Sequence, residues 1–182
     1  LAFSVGVRDT SGLALFDPAS RETELLIVPG RDPKWSPDGK EIMVANWEND
    51  NEHIGLYVIN PFSGKTACVF TTKKYNLNDH AWDMDSDHFY IVYRNREKDL
   101  PSQILLKQIS SDNTQLIYQD SIDYSYNIAT SPDRRSLAIY DRKNSKVMIT
   151  EHDGNSIKEI YSWQDTQSWP SFLTWSADGK NL

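Results

Sequence analysis

A six-residue segment, Trp35-Ser36-Pro37-Asp38-Gly39-Lys40, occurs more than once in this chain and decides its fold. It returns as Trp175-Ser176-Ala177-Asp178-Gly179-Lys180 and, with its first residue and its glycine changed, as Thr130-Ser131-Pro132-Asp133-Arg134-Arg135. A degenerate copy, Trp82-Asp83-Met84-Asp85-Ser86-Asp87, lies between these. Successive copies begin 47, 48 and 45 residues apart. The chain is therefore built of sequence repeats.

Each copy has the composition of a tight turn, and short apolar runs follow it. Proline presets φ near −65°, aspartate bonds its own backbone and glycine accepts a positive φ, so the chain reverses sharply. β-Branched and apolar runs bounded by turn residues indicate strands. They lie at 42–45, 55–59 and 66–70, at 89–93, 104–106 and 115–118, and at 137–140, 147–149 and 157–161.

The four-strand repeat predicts an all-β fold. Residues 1–28 match the last three strands of a repeat, and residues 172–175 match a lone first strand, which gives 16 strands in phase. A four-stranded sheet cannot bury both faces by itself and must stack on neighbours around an axis. We therefore predict a β-propeller of four-stranded antiparallel blades, about four blades in all, as a single domain over 1–182. Its repeat units are 1–31, 32–77, 78–126, 127–170 and a partial unit, 171–182.

These residues resemble the TolB-type β-propeller repeat. The resemblance rests on Trp-Ser-Pro-Asp-Gly-Lys followed by an apolar strand, on second turns such as Asn60-Pro61 and His152-Asp153-Gly154, and it covers essentially the whole chain. It implies a bacterial, periplasmic and non-catalytic module for protein interaction or ligand sensing, including the sensor part of a membrane-anchored transcriptional regulator. Because relatives of prolyl oligopeptidase also carry such propellers, a gating domain of a serine peptidase is the alternative.

The phase of the repeat leaves two interpretations of the chain's extent. The strand at 172–175 would complete the first blade of a closed four-bladed ring and remove two open sheet edges. The sequence stops one residue into a following strand, and TolB-like propellers usually have six or more blades. These points favour an excerpt of a longer propeller, with a self-closed ring or a homo-oligomer completed by a second copy as the alternative.

Composition narrows the functional classes. The 182 residues include 19 Lys and Arg against 26 Asp and Glu, for a formal charge of −7, so we expect no nucleic-acid partner. A single cysteine, Cys68, excludes an intrachain disulfide and a multi-cysteine metal site. No apolar stretch of membrane-spanning length is present, so membrane contact would come only through segments outside this chain.

We predict no catalysis, no cofactor and no metal site. None of the eight glycines forms a Gly-x-Ser-x-Gly elbow or a phosphate loop. The four histidines have no helical metal-ligand spacing. The carboxylates of residues 83–87 begin like a calcium loop, but His88 stands where such a loop needs glycine and Arg94 where it needs a bidentate glutamate. A degenerate turn is the favoured interpretation, and a weak calcium site is the alternative.

The repeat also indicates where a partner would bind. In a propeller, the loops that enter each first strand and the loops that join second to third strands share one face, and loops carry function. Tyrosine and tryptophan are favoured anchors in interfaces. The predicted binding residues for a protein or peptide partner are Trp47, His53, His80, Tyr124, Tyr126, Trp163 and Trp169. The alternative is that these loops are solvated and their aromatic side chains fold back on the blades.

Overall fold

The computed structural model describes residues 2–7, 10–26, 30–47, 54–73, 75–95, 101–122, 126–163 and 173–182. These residues form 15 strands in four antiparallel sheets, with turns between them and no helix among the described ranges. Nothing helical in this described part has the length and apolar character needed to cross a membrane. The chain divides into two compact units, residues 1–73 and residues 74–182.

The first unit contains two sheets. The first blade has the three strands β1 (Ala2–Val7), β2 (Thr10–Phe16) and β3 (Thr23–Leu26), and the second blade has β4 (Arg31–Trp35), β5 (Ile42–Trp47), β6 (Ile54–Ile59) and β7 (Thr66–Thr72). Strands pair with their sequence neighbours in both sheets. Buried Leu13 of the first blade packs with Ile42, Val44 and Ile59 of the second, and the half-buried ring of Trp35 lies against this cluster. Apolar side chains from both sheets therefore form one core.

The second unit repeats this arrangement with two complete blades. The third blade comprises β8 (Tyr75–Trp82), β9 (His88–Asn95), β10 (Pro101–Gln108) and β11 (Thr114–Ile122), and the fourth comprises β12 (Tyr126–Thr130), β13 (Ser136–Asp141), β14 (Lys146–Glu151) and β15 (Lys158–Ser162). The first strands of the two blades are tied by the backbone N–H of Ile128, which donates to Asp79 Oδ2 at 3.0 Å. Tyr90, Tyr126 and Ile139 belong to the core that both sheets share.

The repeated turn owes its shape to its serine and aspartate. In the fourth blade Ser131 Oγ donates to Asp133 Oδ1 at 2.6 Å and accepts the N–H of Ser136 at 3.0 Å. The second-blade turn has the same bonds, with Ser36 Oγ 2.7 Å from Asp38 Oδ1. Gly39 adopts φ +70° there, a left-handed conformation that glycine takes without steric cost. A local hydrogen-bond pattern thus explains why the motif recurs.

The outer strand of each complete blade contains an extra residue at an equivalent position. The register of the third and fourth strands shifts between Leu56 and Tyr57, between Ile104 and Leu105, and between Val147 and Met148. The unpaired residues are Val69, Ile117 and Ile160, at equivalent positions of β7, β11 and β15. This β-bulge is therefore a feature of the blade and not of one strand.

The end of the chain differs from the sequence prediction. Residues 173–176 are irregular and not the end of a lone first strand, and Phe172 lies outside the described residues. The last turn nevertheless has the repeat geometry, since Ser176 Oγ donates to Asp178 Oδ1 at 2.7 Å. The indole N–H of Trp175 donates to the Ala129 carbonyl at 3.0 Å. A side chain and a turn, rather than strand pairing, hold this segment on the fourth blade, so the described residues contain 15 strands where 16 were predicted.

Candidate functional site

Three aromatic rings pack in a row in the fourth blade, one pair stacked and the other tilted; we call this row the aromatic stack. Tyr140 in β13 stacks on Trp163, with centroids 5.4 Å apart and an interplanar angle of 28°. Trp163, just after β15, lies 5.8 Å from the ring of Tyr161 at 33°. Tyr140 is buried, Trp163 is half-buried and Tyr161 is 62% exposed. The stack therefore runs from the core to the surface and presents aromatic surface to solvent.

The register of the sheet positions these rings. Tyr140 pairs with Val147 of β14, and Val147 pairs in turn with Tyr161 of β15, so the two tyrosines lie in one row across the sheet. The backbone N–H of Trp163 donates to the Ser145 carbonyl at 3.1 Å. That bond fixes the tryptophan beside the loop that joins the second and third strands of the blade.

A buried carboxylate organises that loop. Asp141 is fully buried, and its Oδ1 accepts the backbone N–H groups of Lys143 at 3.0 Å and Asn144 at 3.1 Å. Its Oδ2 accepts the side-chain amide of Asn144 at 2.7 Å. The side chains of Arg142 and Lys143 are exposed on this loop. Two cationic residues therefore border the aromatic stack, although the chain as a whole has a charge of −7.

The electrostatics of Tyr140 follow from its position at the bottom of the stack. Its hydroxyl oxygen is buried and has no hydrogen-bond partner among the described residues. Burial raises the pKa of Tyr140, the carboxylate of Asp141 raises it further, and the Arg142 guanidinium opposes both. Tyr140 is thus a neutral ring at the buried end of the stack.

The Tyr140–Trp163 pair has no counterpart in the other complete blades. When the blades are aligned on their first turns and outer-strand bulges, the two positions are occupied by Ala45 and Thr72 in the second blade. In the third blade they are Val92 and Asp120. Since two blades form without these rings, the architecture does not require them.

Solved structures share this fold at low sequence identity. TolB from Acinetobacter baumannii matches with a TM-score of 0.72 and 16% identity, over 93% of this chain and 41% of that one. The putative TolB from Agrobacterium tumefaciens gives 0.71 and 18%, over 88% and 60%. The chain has the blade fold of a TolB-type β-propeller. The β-propeller domain of the Trilobed protease from Pyrococcus furiosus gives 0.63 and 12%, over 88% and 53%.

The chain spans 41 to 60% of the length of those three structures. No protein-family model matches it, and no curated protein matches it. The likeness therefore concerns the fold, as predicted from the repeats.

The structure places the predicted binding residues of the TolB-type propeller in different environments. Trp163 lies in the aromatic stack. His80 and Tyr126 are buried, at 1% and 0% exposure, and the Tyr126 ring packs edge-on against Tyr118 at 5.4 Å. Trp47 ends strand β5, but its side chain lies outside the described part of the structure, as do residues His53, Tyr124 and Trp169. The binding role of all seven stays a prediction.

Sequence reasoning missed Tyr140 and Tyr161. The signal was present, because the two tyrosines lie at positions that the hairpin register brings into one row. Tyr161 also occupies the position of Tyr118 in the third blade, where the ring packs against the next blade. With Phe70 of the second blade, an aromatic residue there is common to all three complete blades, whereas Trp163 is particular to the fourth.

A second polar cluster joins the third and fourth blades. The hydroxyl of buried Tyr90 lies 2.7 Å from Asp83 Oδ1 and 2.7 Å from the His152 carbonyl. The Arg134 guanidinium donates to the carbonyls of Asp83 at 3.2 Å and Trp82 at 3.5 Å. Burial raises the pKa of the Asp83 carboxyl, and the Tyr90 hydroxyl and His152 oppose this rise. Since its donors are satisfied by groups of both blades, the cluster fastens one blade to the next.

The carboxylates of the degenerate turn serve separate partners. Asp85 Oδ1 accepts the backbone N–H groups of Asp87 and His88, both at 2.8 Å. Asp87 accepts the N–H and hydroxyl of Ser110 at 2.8 and 2.6 Å. Asp83 binds Tyr90 instead. The segment is a turn whose three acids diverge, and the described residues hold no group of acidic, histidine or cysteine side chains arranged for a metal ion.

Proposed function

We propose that this propeller is a non-catalytic module that binds a protein or peptide partner through the aromatic stack of its fourth blade. The observation that supports the proposal is the Tyr140–Trp163 pair, which the other complete blades lack. Partly exposed aromatic rings give large contact area at low entropic cost, and for that reason they anchor interfaces.

The charged residues beside the aromatic stack indicate what kind of partner would fit it. Exposed Arg142 and Lys143 border rings that present a flat apolar surface. A segment that pairs a proline or aromatic ring with a carboxylate would satisfy both features, because the ring stacks while the acid meets the cations. We therefore infer an acidic peptide segment with a ring-bearing residue as the partner. The resemblance to TolB-type repeats favours a periplasmic sensor or interaction role.

Capture of partners from a bacterial envelope extract tests this proposal. The immobilised chain is compared with Trp163→Ala, and the matched control is Phe62→Ala, because Phe62 is 79% exposed on a turn of the first unit. We expect Trp163→Ala to lose about tenfold or more of the partner while Phe62→Ala retains it, as truncation of a tryptophan anchor often costs 2 kcal/mol or more in binding, on the order of a thirtyfold loss.

A partner recovered in that way is then purified and titrated against the same variants. Equal affinity for Trp163→Ala and the unaltered chain would place binding elsewhere on the molecule. Thermal unfolding of both variants separates a binding effect from lost folding, since the described ring of Trp163 is half-buried.

The alternative is a propeller that gates a serine peptidase. The likeness to the β-propeller domain of the Trilobed protease favours it. Reading the parent gene on both sides of this segment distinguishes the two roles. A downstream hydrolase domain would support the gate, and an upstream winged helix with a membrane span would support a sensor in a regulator.

A further inference from the structure

A groove of about 820 Å³ lies in the first unit, between the first blade and the start of the second. One wall is formed by the ends of β2 and β3 with the turn between them, and the other by the Trp35 ring. The residues that line it are Leu15, Phe16, Asp17, Ser20, Glu22, Thr23, Glu24 and Trp35. None of these described lining residues is a lysine or an arginine, so the groove is acidic and aromatic.

The third blade has a pocket at the equivalent position of its own hairpin. Phe16 pairs with Thr23 as Lys107 pairs with Thr114, and the turn bond from Asp17 N to the Glu22 carbonyl is matched by the bond from Gln108 N to the Asn113 carbonyl. The third-blade pocket measures about 230 Å³, and its lining includes the equivalents of six residues of the first-blade groove: Leu106, Lys107, Gln108, Asn113, Thr114 and Gln115. The two cavities therefore lie at equivalent positions of their blades and differ in volume and in lining residues.

In the third blade the protein's own lysine occupies that place. Lys107 is only 8% exposed, and its ammonium lies 2.8 Å from Asp112 Oδ1 and 2.8 Å from Thr114 Oγ1. In the first blade Phe16 replaces Lys107, while Thr23 preserves the hydroxyl of Thr114. The position that receives an ammonium in one blade is thus without an internal ammonium in the other.

The first-blade groove is lined by more carboxylates than the third-blade pocket. Glu22 and Glu24 stand where the third blade has Asn113 and Gln115, and both glutamates are exposed. Asp17 remains ionised at neutral pH because the backbone N–H of Ala19 and the Ser20 hydroxyl lower its pKa. Arg21 replaces Asp112 on the turn, but it is not among the lining residues. Three carboxylates therefore face a cavity with an indole wall, a combination that attracts an organic cation.

We propose that this groove binds a lysine side chain of a partner polypeptide, whose ammonium lies among the Asp17, Glu22 and Glu24 carboxylates and beside the Trp35 indole. The indole of Trp35 supplies a cation–π surface and an apolar wall for the methylene chain, and the glutamates supply the charge. This site lies in the first unit, so the proposal does not depend on the aromatic stack of the fourth blade.

Binding of a fluorescein-labelled tetralysine peptide, followed by fluorescence anisotropy at low salt, tests the proposal. The comparison peptide carries acetylated lysines, which keep the chain length but lose the charge. We expect the tetralysine peptide to bind and the acetylated peptide to bind at least tenfold more weakly, on the order expected for loss of a charged group with its cation–π and ionic contacts.

Two variants convert the first-blade groove toward the third-blade pattern. Glu22→Asn with Glu24→Gln removes two charges and is expected to weaken tetralysine binding about threefold or more. Phe16→Lys introduces an internal ammonium into the groove and is expected to weaken tetralysine binding about tenfold, because it neutralises the glutamates and repels the peptide. The matched control, Glu151→Gln with Glu159→Gln, removes the same charge from exposed positions of the fourth blade.

The result that overturns the proposal is equal weakening by the groove pair and by the control pair, because that would show attraction to the acidic chain as a whole. Absence of tetralysine binding at low salt would overturn it as well. If Phe16→Lys fails to fold, the exposed Glu22 and Glu24 still decide the question. Trp163→Ala is expected to leave tetralysine binding unchanged, so failure here is distinguishable from failure of the proposed function.

Discussion

The first turns of the third and fourth blades share one backbone hydrogen bond but use their side chains differently. In both, the residue after the first strand donates its N–H across the turn, from Ser131 to the Ser136 carbonyl at 2.9 Å and from Asp83 to the His88 carbonyl at 3.0 Å. The Ser131 hydroxyl forms both of its hydrogen bonds within the turn, since it donates to Asp133 and accepts the N–H of Ser136. Asp83 directs its carboxylate to Tyr90 in the space between two blades.

This difference shows that the third copy is specialised rather than decayed. Tyr90 stands where the second and fourth blades have Met43 and Ala138, so the acid and the hydroxyl that binds it depart from the repeat together. Asp85 takes over the capping of the turn through two backbone N–H groups. Loss of the repeat pattern therefore marks the position where a turn gained a tertiary contact.

Among the substitutions that test this difference between the two turns, Tyr90→Phe is expected to have the largest effect on stability. The change keeps the ring but leaves the Asp83 carboxylate buried without its hydroxyl donor, and leaving a buried polar group unsatisfied costs about 1–3 kcal/mol. Chemical denaturation measures the loss of unfolding free energy. Tyr161→Phe is the control, since its hydroxyl belongs to a 62% exposed ring and the expected change is within about 0.5 kcal/mol.

If Tyr90→Phe proves as mild as Tyr161→Phe, Asp83 does not depend on the Tyr90 hydroxyl and the fastening of the two blades lies elsewhere. Burial and the neighbouring Asp83 carboxylate both raise the pKa of Tyr90, so the wild-type hydroxyl stays protonated and able to donate at neutral pH.

Ser131→Ala tests the ordinary form of the turn. It removes the hydroxyl that bonds Asp133 and accepts the N–H of Ser136, and we expect a loss of about 1 kcal/mol in unfolding free energy. Ser176→Ala makes the same change in the half-buried last turn, where a smaller loss is expected because water can replace the bonds. A larger loss at Ser176 than at Ser131 would contradict the view that burial sets the value of this hydroxyl.

Asp83→Asn tests the same difference through the pH dependence of the unfolding free energy, and its expected effect is the smallest. Burial raises the folded pKa of Asp83 above its ordinary value of 3.8, so the folded state holds this proton more tightly than the unfolded chain. Its contribution to stability therefore falls as pH rises above 3.8 through the folded pKa. Asparagine does not titrate. The unfolding free energy of the variant should therefore rise relative to that of wild type as the pH is raised from about 4 to about 7.

The measurement is the difference in unfolding free energy between Asp83→Asn and wild type across that range. A difference that stays constant or falls with rising pH would contradict the raised pKa. Exposed aspartates titrate in both proteins and cancel, among them Asp133, whose pKa the hydroxyl of Ser131 lowers.

The fold was predictable because the determining information is local. The turn motif and its spacing predict four-stranded blades, and the third-blade strand expected at 89–93 is His88–Asn95 in the structure. The lone strand at 172–175 was wrong in its described part, because a strand requires a pairing partner and not only apolar residues. The local sequence indicates that a segment tends to be extended, but a β-ladder forms only where a second strand is available to pair with it.

The candidate surfaces were less predictable because they depend on side chains from several strands. Trp163 was chosen from its loop position, but its stacking on Tyr140 requires the register of three strands. The groove beside Trp35 differs from the third-blade pocket in part through the exchange of Lys107 for Phe16 between equivalent hairpins. Aligning the third and fourth strands as carefully as the first turns would have revealed that exchange in the sequence alone.

The bulges of the outer strands bear on solubility. The outermost strands β7, β11 and β15 each have one edge without a neighbour in their sheet, and a regular row of unpaired N–H and C=O groups is a template for aggregation. The extra residues Val69, Ile117 and Ile160 break the spacing of that row in every complete blade. A foreign strand can then pair along only part of each edge, which protects this acidic chain from growing into intermolecular sheets at high concentration.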